Sequence, residues 1–548
     1  MSCSDSWDES FDAVVVGTGA GGFGAALTIA DHGANVLMLE KAATIGGTTR
    51  KSAAVFWIMN NRFMREAGLE DPRPQALEYL ARLAFPAKYD PRAPRLGLSP
   101  WEYEGLETFY DFGADAVDYY EKIGAFTAAC NFQYPDYNAH IAENAAPYGR
   151  ALYPAATPGG QAGGEVFIGE MNAAAESSGV EIRTSTAVRD VIIENGVVRG
   201  VVAQNEDGSL LRIRADKGVV FATGGFTHNA DLRQQFLRGP YVGGCAVPTN
   251  TGDFVTISQR IGADLVNMGN AWSAPIVLER LKHEPATVSS SFIIPGDAAF
   301  MVNKYGRRFV NESRPYNETT MAQFRWDEIK LEYTNLPVFA IWDEQVHNSA
   351  GGAEWGNPVP ADGVDAYWVL QGETWDELAA AIADRLPAVA DMVGAVTLDA
   401  DFAETLRSTA QRFSGFAASG IDEDFGRGGT PHETYFASVF EEWFGFKGAP
   451  NPTMRPLSET GPYYAAIMGP GTLDTKGGPR VDRQGRVLSV SGRPIPGLFA
   501  VGNCAGSPSG QAYWAAGGTI GPILTYAYLA GCAVVGSPLS GAVPAMIE

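Results

Sequence analysis

Apolar and polar positions fall into distinct blocks from the start of the chain. Phe11-Asp-Ala-Val-Val-Val16 reads as a short buried strand and Gly17-Thr-Gly-Ala-Gly-Gly22 as a turn. Phe23 to His32 has the apolar spacing of a helix, and Asn35-Val-Leu-Met-Leu-Glu40 reads as a second strand. This succession is a βαβ unit carrying Gly-x-Gly-x-x-Gly between its first strand and its helix. Further on, Val180 to Val188, Val191 to Ile193, Val197 to Gln204 and Leu210 to Ile213 read as strands, with turns at Asn195-Gly196 and Asp207-Gly208. The strand Gly218 to Thr223 runs into Gly224-Gly225, and Gly497 to Gly506 repeats that strand-to-glycine pattern near the end. Residues from about 285 to 455 differ in character, with a helix opened by the capping-box sequence Thr374-Trp-Asp-Glu377. The expected fold is therefore α/β: a discontinuous Rossmann-type domain from 1–284 and 456–548, with 285–455 inserted as an α+β domain.

Composition narrows the function. Glycine fills 64 of 548 positions, above the usual level of roughly 7%, and without a collagen-like period. The excess must serve tight turns and close backbone approaches. Lys and Arg number 40 against 63 Asp and Glu, a net charge of −23. Such a surface repels phosphodiesters, so nucleic acid is not an expected partner. The five cysteines (Cys3, Cys130, Cys245, Cys504 and Cys532) are scattered, which argues against a disulfide framework or a zinc site. Met1 to Ser10 contains Asp5, Asp8 and Glu9 and does not read as a signal peptide. The expected location is the cytoplasm, with peripheral contact to a membrane as the alternative.

From Pro494 to Ile547 no side chain is charged. Gly, Pro, Ser, Asn and Gln interrupt that stretch, so it lacks the run of about 20 apolar residues that a transmembrane helix needs. It is expected to be buried in protein beside an uncharged ligand surface.

The first glycine turn points to a dinucleotide. Gly17, Gly19 and Gly22 let the backbone approach a pyrophosphate at the positive N-terminus of the helix. Glu40, at the tip of the second strand, is placed to accept both hydroxyls of an adenosine ribose. A second glycine turn follows at Ile45-Gly-Gly-Thr-Thr49. With the later turns at 222–225 and 502–506 and the discontinuous domain, it makes the chain resemble the succinate dehydrogenase/fumarate reductase-like FAD flavoproteins over most of its length. That resemblance implies a glutathione-reductase-like FAD domain. It carries cofactor contacts onto Gly17, Gly19, Gly22, Glu40, Lys41, Gly46, Gly47, Thr48, Ser52, Val188, Thr223, Gly224, Gly225, Gly502, Asn503, Thr519 and Ile520. In covalent members a histidine near the second glycine turn carries the flavin. None of the six histidines here falls between Glu40 and Trp57, so the FAD is expected to be non-covalent.

The reaction is read from three tyrosines. Gly306-Arg-Arg-Phe-Val-Asn-Glu312 looks like an element common to the class. Fumarate reductases place a catalytic arginine four residues after that Glu, where this chain has Tyr316. Tyr134-Pro-Asp-Tyr137, Gln511-Ala-Tyr-Trp-Ala-Ala-Gly517 and Thr475-Lys-Gly-Gly478 complete a set that resembles the 3-ketosteroid Δ1-dehydrogenases.

The resemblance implies that Tyr316 and Tyr137 handle the C2 proton. It implies that a hydride passes from C1 to flavin N5, and that the Tyr513 hydroxyl and Gly517 N–H hold the 3-ketone as an oxyanion hole. The expected substrate is an apolar ketosteroid, and the electron acceptor, a quinone or a redox protein, stays open. A steroid enone reductase, a C4–C5 dehydrogenase, a fumarate-type reductase and a non-catalytic electron-transfer subunit are the alternatives. Trp514-Ala515 stand where the family usually has Pro-Gly, beside the expected ketone site. Arg307, Arg308 and Arg314 are expected to be structural or surface charges.

Overall fold

Ala13-Val-Val-Val16 and Val36-Leu-Met-Leu39 are buried along their length, which is why neither run alternates with polar residues. They pair in parallel, with Ala13 opposite Val36 and Val16 opposite Leu39. The computed structural model describes residues 6–157, 163–286, 297–351, 357–444 and 448–538. The chain forms two compact units: 1–229, 249–270 and 475–548 make the first, and 230–248 with 271–474 make the second.

In the first unit the sheet runs in the order Arg486–Leu488, Pro494–Ala500, Leu210–Phe221, Glu9–Val16, Val36–Leu39, Glu181–Arg183. From Pro494–Ala500 to Glu181–Arg183 all neighbours are parallel. The sequence suggested separate strands at Leu210–Ile213 and Gly218–Thr223. They are one strand, Leu210–Phe221. Its first half pairs antiparallel with Val197–Gln204, and its second half continues parallel to Glu9–Val16. Conversely, the expected strand Val180 to Val188 is two, Glu181–Arg183 and Ala187–Glu194.

The helix after the first strand spans Ala20–Asp31. The C-terminal helix Ile520–Val535 lies against it closely enough that a Cβ on Gly24 would sit 2.9 Å from the Ala527 Cβ. A Cβ on Gly531 would sit 2.5 Å from the Thr28 Cβ. The charge-free stretch is thus core for much of its length, held by close helix packing. Residues 539–547 of that stretch lie outside the described residues. Among the described residues no helix is long and apolar enough to cross a membrane.

The second unit is wider than the expected 285–455. Its sheet is built on the long strand Tyr463–Thr475, which pairs in parallel with Gly243–Gly244 and antiparallel with Val338–Asp343 and Val369–Gly372. Ala271–Val277 joins the same strand, and Ala299–Asn303 pairs with Val338–Asp343. Strands on both sides of the expected boundaries therefore complete one sheet. Pairing between segments this distant in sequence leaves no local mark. The Trp375–Arg385 helix starts where expected, with the Thr374 hydroxyl accepting the Glu377 N–H at 3.2 Å.

The Gly306 to Glu312 element is structural. Arg308 donates to both oxygens of Glu312 and to both of Asp422, all three side chains being almost wholly buried. Arg427 adds a second guanidinium to Glu312 at 3.2 Å. Burial opposes ionisation of Glu312, but the two guanidiniums outweigh it and hold the carboxyl below its ordinary value. Asp422 is likewise lowered, with burial opposed by Arg308. The stability these carboxylates confer is present above their unfolded pKa values and is lost as pH falls through the lowered folded ones. Arg308→Met leaves two buried carboxylates short of a cation. It should cost about 3–5 kcal/mol in urea denaturation at pH 7, and an unchanged midpoint would remove this network from the account of the fold.

Candidate active site

Every cofactor position expected from the sequence lies in the first unit. The turn after Glu9–Val16 is fixed by steric exclusion. Gly17 has φ +102°, and a Cβ there would lie 2.4 Å from the Ala222 oxygen. A Cβ on Gly22 would lie 1.9 Å from the Gly17 oxygen. Gly19 is the N-cap of the Ala20–Asp31 helix and supplies no side-chain cap, while the Ala20 N–H donates to Thr49 Oγ1 at 3.1 Å. A helix N-terminus whose N-cap residue has no side chain, above a turn that only glycine fits, is a suitable cradle for a pyrophosphate.

Glu40 is buried, and its carboxylate already accepts three hydrogen bonds. Two come from the Thr18 N–H (3.1 Å) and Thr18 hydroxyl (2.6 Å), and one from the Ala42 N–H (2.8 Å). A carboxylate has about four acceptor positions. Three of them are taken by the protein, so Glu40 also ties the glycine turn to the strand end. Lys41 differs more. Its ammonium donates to Asp253 Oδ2 (2.9 Å), Thr251 Oγ1 (2.7 Å) and the Thr249 oxygen (3.3 Å), which engages all three protons. In this structure any cofactor contact from Lys41 falls to its backbone.

The remaining positions have their own local contacts. Gly46 and Gly47 begin the short Gly47–Arg50 helix, and the Gly46 N–H donates to Thr18 Oγ1 at 3.0 Å. Thr48 Oγ1 accepts from Asn250 at 3.4 Å. The Ser52 hydroxyl donates to the Thr49 oxygen (2.7 Å) and accepts the Ala54 N–H (3.0 Å), so it serves the local turn. Val188 pairs with Ala203 inside the sheet. Thr223, Gly224 and Gly225 follow Leu210–Phe221 directly, and the Asn250 amide fills the space beside Gly224. Gly502 and Asn503 open a short 3₁₀ turn. Thr519 is the N-cap of Ile520–Val535, and Ile520 is its first residue.

Of the four expected catalytic residues, three share this unit. The Tyr137 and Tyr513 rings meet edge to face, with centroids 5.5 Å apart. Gly517 has φ +84°, and a Cβ there would collide with Trp57 N and the Val55 oxygen, each at 2.7 Å. Its carbonyl accepts the Trp57 N–H (3.1 Å) and the Gly521 N–H (3.0 Å). Its own N–H has no acceptor among the described residues and sits at the start of the turn leading into a 16-residue helix. There the helix dipole adds partial positive charge. Tyr316 belongs to the second unit. It is buried at the first position of the Tyr316–Met321 helix, and its carbonyl accepts the Thr319 and Thr320 hydroxyls at 3.1 and 2.7 Å.

Trp514 points into the core. Its ring stacks on Trp57 and Phe109, its indole N–H donates to the Leu80 oxygen, and its carbonyl accepts the Tyr79 hydroxyl. The substitution for Pro-Gly is thus compensated by packing.

Sequence reading did not single out the residues behind these tyrosines. Arg150, wholly buried, makes a two-pronged contact with Asp71 (2.9 and 2.6 Å) and reaches Asp136 Oδ2 at 2.7 Å. Burial pushes the Asp136 carboxyl up to about 6, against the pull of Arg150, Trp57 and Asn144. Lys476, also wholly buried, donates to the Ala512 oxygen at 2.6 Å, next to Tyr513. Asp136 and Lys476 lie inside motifs already quoted, and Arg150 carries the signal of a single charge just before a buried strand.

Residues 12–520 match the family described as FAD binding domain. The chain is 33% identical to 4-oxocyclohexanecarboxylate 2-dehydrogenase of Sinomonas cyclohexanicum, over 96% of this chain and 93% of that protein. It is 31% identical to 3-oxosteroid 1-dehydrogenase of Mycobacterium tuberculosis, over 95% of this chain and 98% of that protein. The crystal structure of 3-ketosteroid Δ1-dehydrogenase from Sterolibacterium denitrificans, in complex with 1,4-androstadiene-3,17-dione, shares the fold. Its TM-score is 0.79 at 24% identity, over 96% of this chain and 100% of that one. The chain belongs to the FAD binding domain family. It is an FAD-dependent oxidoreductase of the 3-oxosteroid 1-dehydrogenase-like type.

Gly22→Ala tests the cradle. The Cβ has nowhere to go but into the Gly17 carbonyl, an overpacking cost of about 1–3 kcal/mol. The variant should purify with little flavin, read from its visible absorbance against protein absorbance, and melt earlier. Full flavin loading would show that the turn does not hold the cofactor.

Proposed function

We propose that this enzyme dehydrogenates the C1–C2 bond of a 3-ketosteroid, using FAD held without a covalent link. The observation that carries the reading is the pairing of Tyr137 with Tyr513, close in the chain to the Gly517 N–H, which has no acceptor among the described residues. A ketone oxygen placed between the Tyr513 hydroxyl and that N–H would meet two neutral donors, one of them reinforced by the helix N-terminus. Two such donors stabilise a developing enolate without a charged partner. Polarising the ketone acidifies C2–H, and Tyr316 takes that proton. A phenol has an ordinary pKa near 10, so an anionic Tyr316 needs a partner, and Tyr137 is assigned to share its charge or pass the proton on. Bound FAD supplies the acceptor for the hydride that leaves C1.

The fumarate-type alternative has little support. Tyr316 replaces the arginine it requires, and Arg308 is committed to Glu312 and Asp422. The relative that acts on 4-oxocyclohexanecarboxylate favours a second substrate reading, a smaller ring ketone bearing a carboxylate. Both readings share the dehydrogenation beside a ring ketone.

The test is anaerobic flavin bleaching with a 5α-3-ketosteroid, saturated at both C1–C2 and C4–C5, and, separately, 4-oxocyclohexanecarboxylate, followed by mass spectrometry and NMR of the product. A 1,2-unsaturated steroid is expected. Bleaching by the carboxylate alone would select the second substrate, and unsaturation at C4–C5 would reject the proposed regiochemistry. Tyr513→Phe removes one oxyanion donor and should lower kcat by about 10²–10³ while the flavin stays bound. A kcat within a factor of about two of wild type would remove Tyr513 from the oxyanion hole.

A further inference from the structure

Trp57 reaches both halves of the chemistry assigned to the first unit. Its indole N–H donates to Asp136 Oδ1 at 2.6 Å, and Asp136 is the residue before Tyr137. Its backbone N–H donates to the Gly517 oxygen at 3.1 Å, and its ring stacks on Trp514, the residue after Tyr513, at 5.9 Å and 27°. The side chain is wholly buried. Few residues offer two donors on so rigid a body.

Trp57 is itself held from behind. The strand Phe56–Trp57 pairs with Ala151–Pro154, and the Ile58 N–H donates to the Arg150 oxygen at 2.9 Å. The Arg150 guanidinium carbon lies 5.2 Å from the Trp57 ring centroid and 5.5 Å from that of Tyr79. One guanidinium faces two carboxylates, Asp71 and Asp136. Neutral donors complete them: the Asn60 N–H on Asp71 at 2.9 Å, and Trp57 with Asn144 (3.1 Å) on Asp136. A buried carboxylate short of cations depends on each such donor, because burial in a low dielectric leaves any lost hydrogen bond uncompensated.

We propose that Trp57, anchored by the Asp71–Arg150–Asp136 triad, is a positioning residue that sets the spacing between Tyr137 and the Tyr513–Gly517 pair. The inference rests on the reaction assigned above. It adds that the proton-handling side and the ketone-holding side are kept in register by one indole. Tyr79 closes the frame from the far side, its hydroxyl donating to the Trp514 oxygen at 2.9 Å.

Trp57→Phe keeps an aromatic ring, though a smaller one, and the backbone N–H, and removes the indole donor. With flavin content unchanged, the rate of flavin reduction in a single turnover should fall by about tenfold or more, with KM within about threefold, since small misplacements of catalytic groups cost rate rather than binding. In a Tyr137→Phe background the same substitution should cost less than about threefold, because its effect acts through a phenol already absent. Equal losses in the two backgrounds, or a Trp57→Phe enzyme within about twofold of wild type, would overturn the proposal.

Asn144→Ala removes the other neutral donor to Asp136 and serves if Trp57→Phe does not fold. A smaller loss of the same non-additive kind is expected. Amide hydrogen exchange separates this inference from the reaction assigned. In Trp57→Phe, residues 134–138 and 514–518 should lose protection together, whatever substrate the wild type takes. Loss confined to 56–58 would show that Trp57 couples nothing.

Discussion

The first helix lies so close to its surroundings that three of its contacts exclude any side chain. Gly22 rests on the Gly17 carbonyl, Gly24 on Tyr120 and Ala527, and Thr28 receives Gly531 from the C-terminal helix. These approaches do two things at once. They aim a helix N-terminus whose N-cap residue has no side chain across the turn that follows the central strand, and they seat the Ile520–Val535 helix, whose own N-terminus begins just beyond Gly517. The two helix starts are thus fixed relative to one another by packing alone. One is suited to an anion and the other to a developing oxyanion. The high glycine content is largely the cost of bringing backbones this near.

Charge is handled by segregation. The long charge-free stretch was expected to be buried in protein beside an uncharged ligand surface, and its helical part is packed into the first unit's core. Outside that helix the charge-free stretch includes the shorter segment from 506 to 519, which holds Tyr513 and Gly517, the two donors proposed for the ketone. Buried charges of this unit include the Asp71–Arg150–Asp136 triad, whose Asp136 adjoins Tyr137, and Lys476, which donates to the Ala512 oxygen beside Tyr513. Neutral donors, with nearby charges paired among themselves, would suit the proposed generation of negative charge on a ketone oxygen. Such pairs contribute little net stability, since desolvation offsets attraction. Their value here is orientation.

The βαβ start, the meander and the return strand were legible because each is a local pattern: period, glycine turn, and a buried run of β-branched residues. The joining of Leu210–Ile213 to Gly218–Phe221 was not. The polar stretch Arg214-Ala-Asp-Lys217 between them reads as a turn, yet it continues as strand because pairing with Val197–Gln204 gives way to pairing with Glu9–Val16. The limits of the second unit were missed for the same reason, since Gly243–Gly244 and Tyr463–Thr475 find each other only in three dimensions. In the site, the glycine turns and tyrosines stood out by motif. The commitment of Lys41 to Asp253 and of Arg150 to two aspartates depends on partners far along the chain.

The Trp514-Ala515 substitution shows how a departure from a family pattern is read best through packing. Proline and glycine at these positions would present almost nothing to the core. Tryptophan presents a large ring, and Trp57, Phe109 and Tyr79 enclose it, with both its indole N–H and its carbonyl satisfied. A change that fills the interior keeps the Tyr513 ring against Tyr137 and leaves the Gly517 N–H without an acceptor among the described residues, so the donors proposed for a ketone are kept while their support is rebuilt. The proposed reaction calls on Tyr513, Gly517 and the phenols and asks nothing of the Trp514 side chain, so this rebuilding is compatible with it.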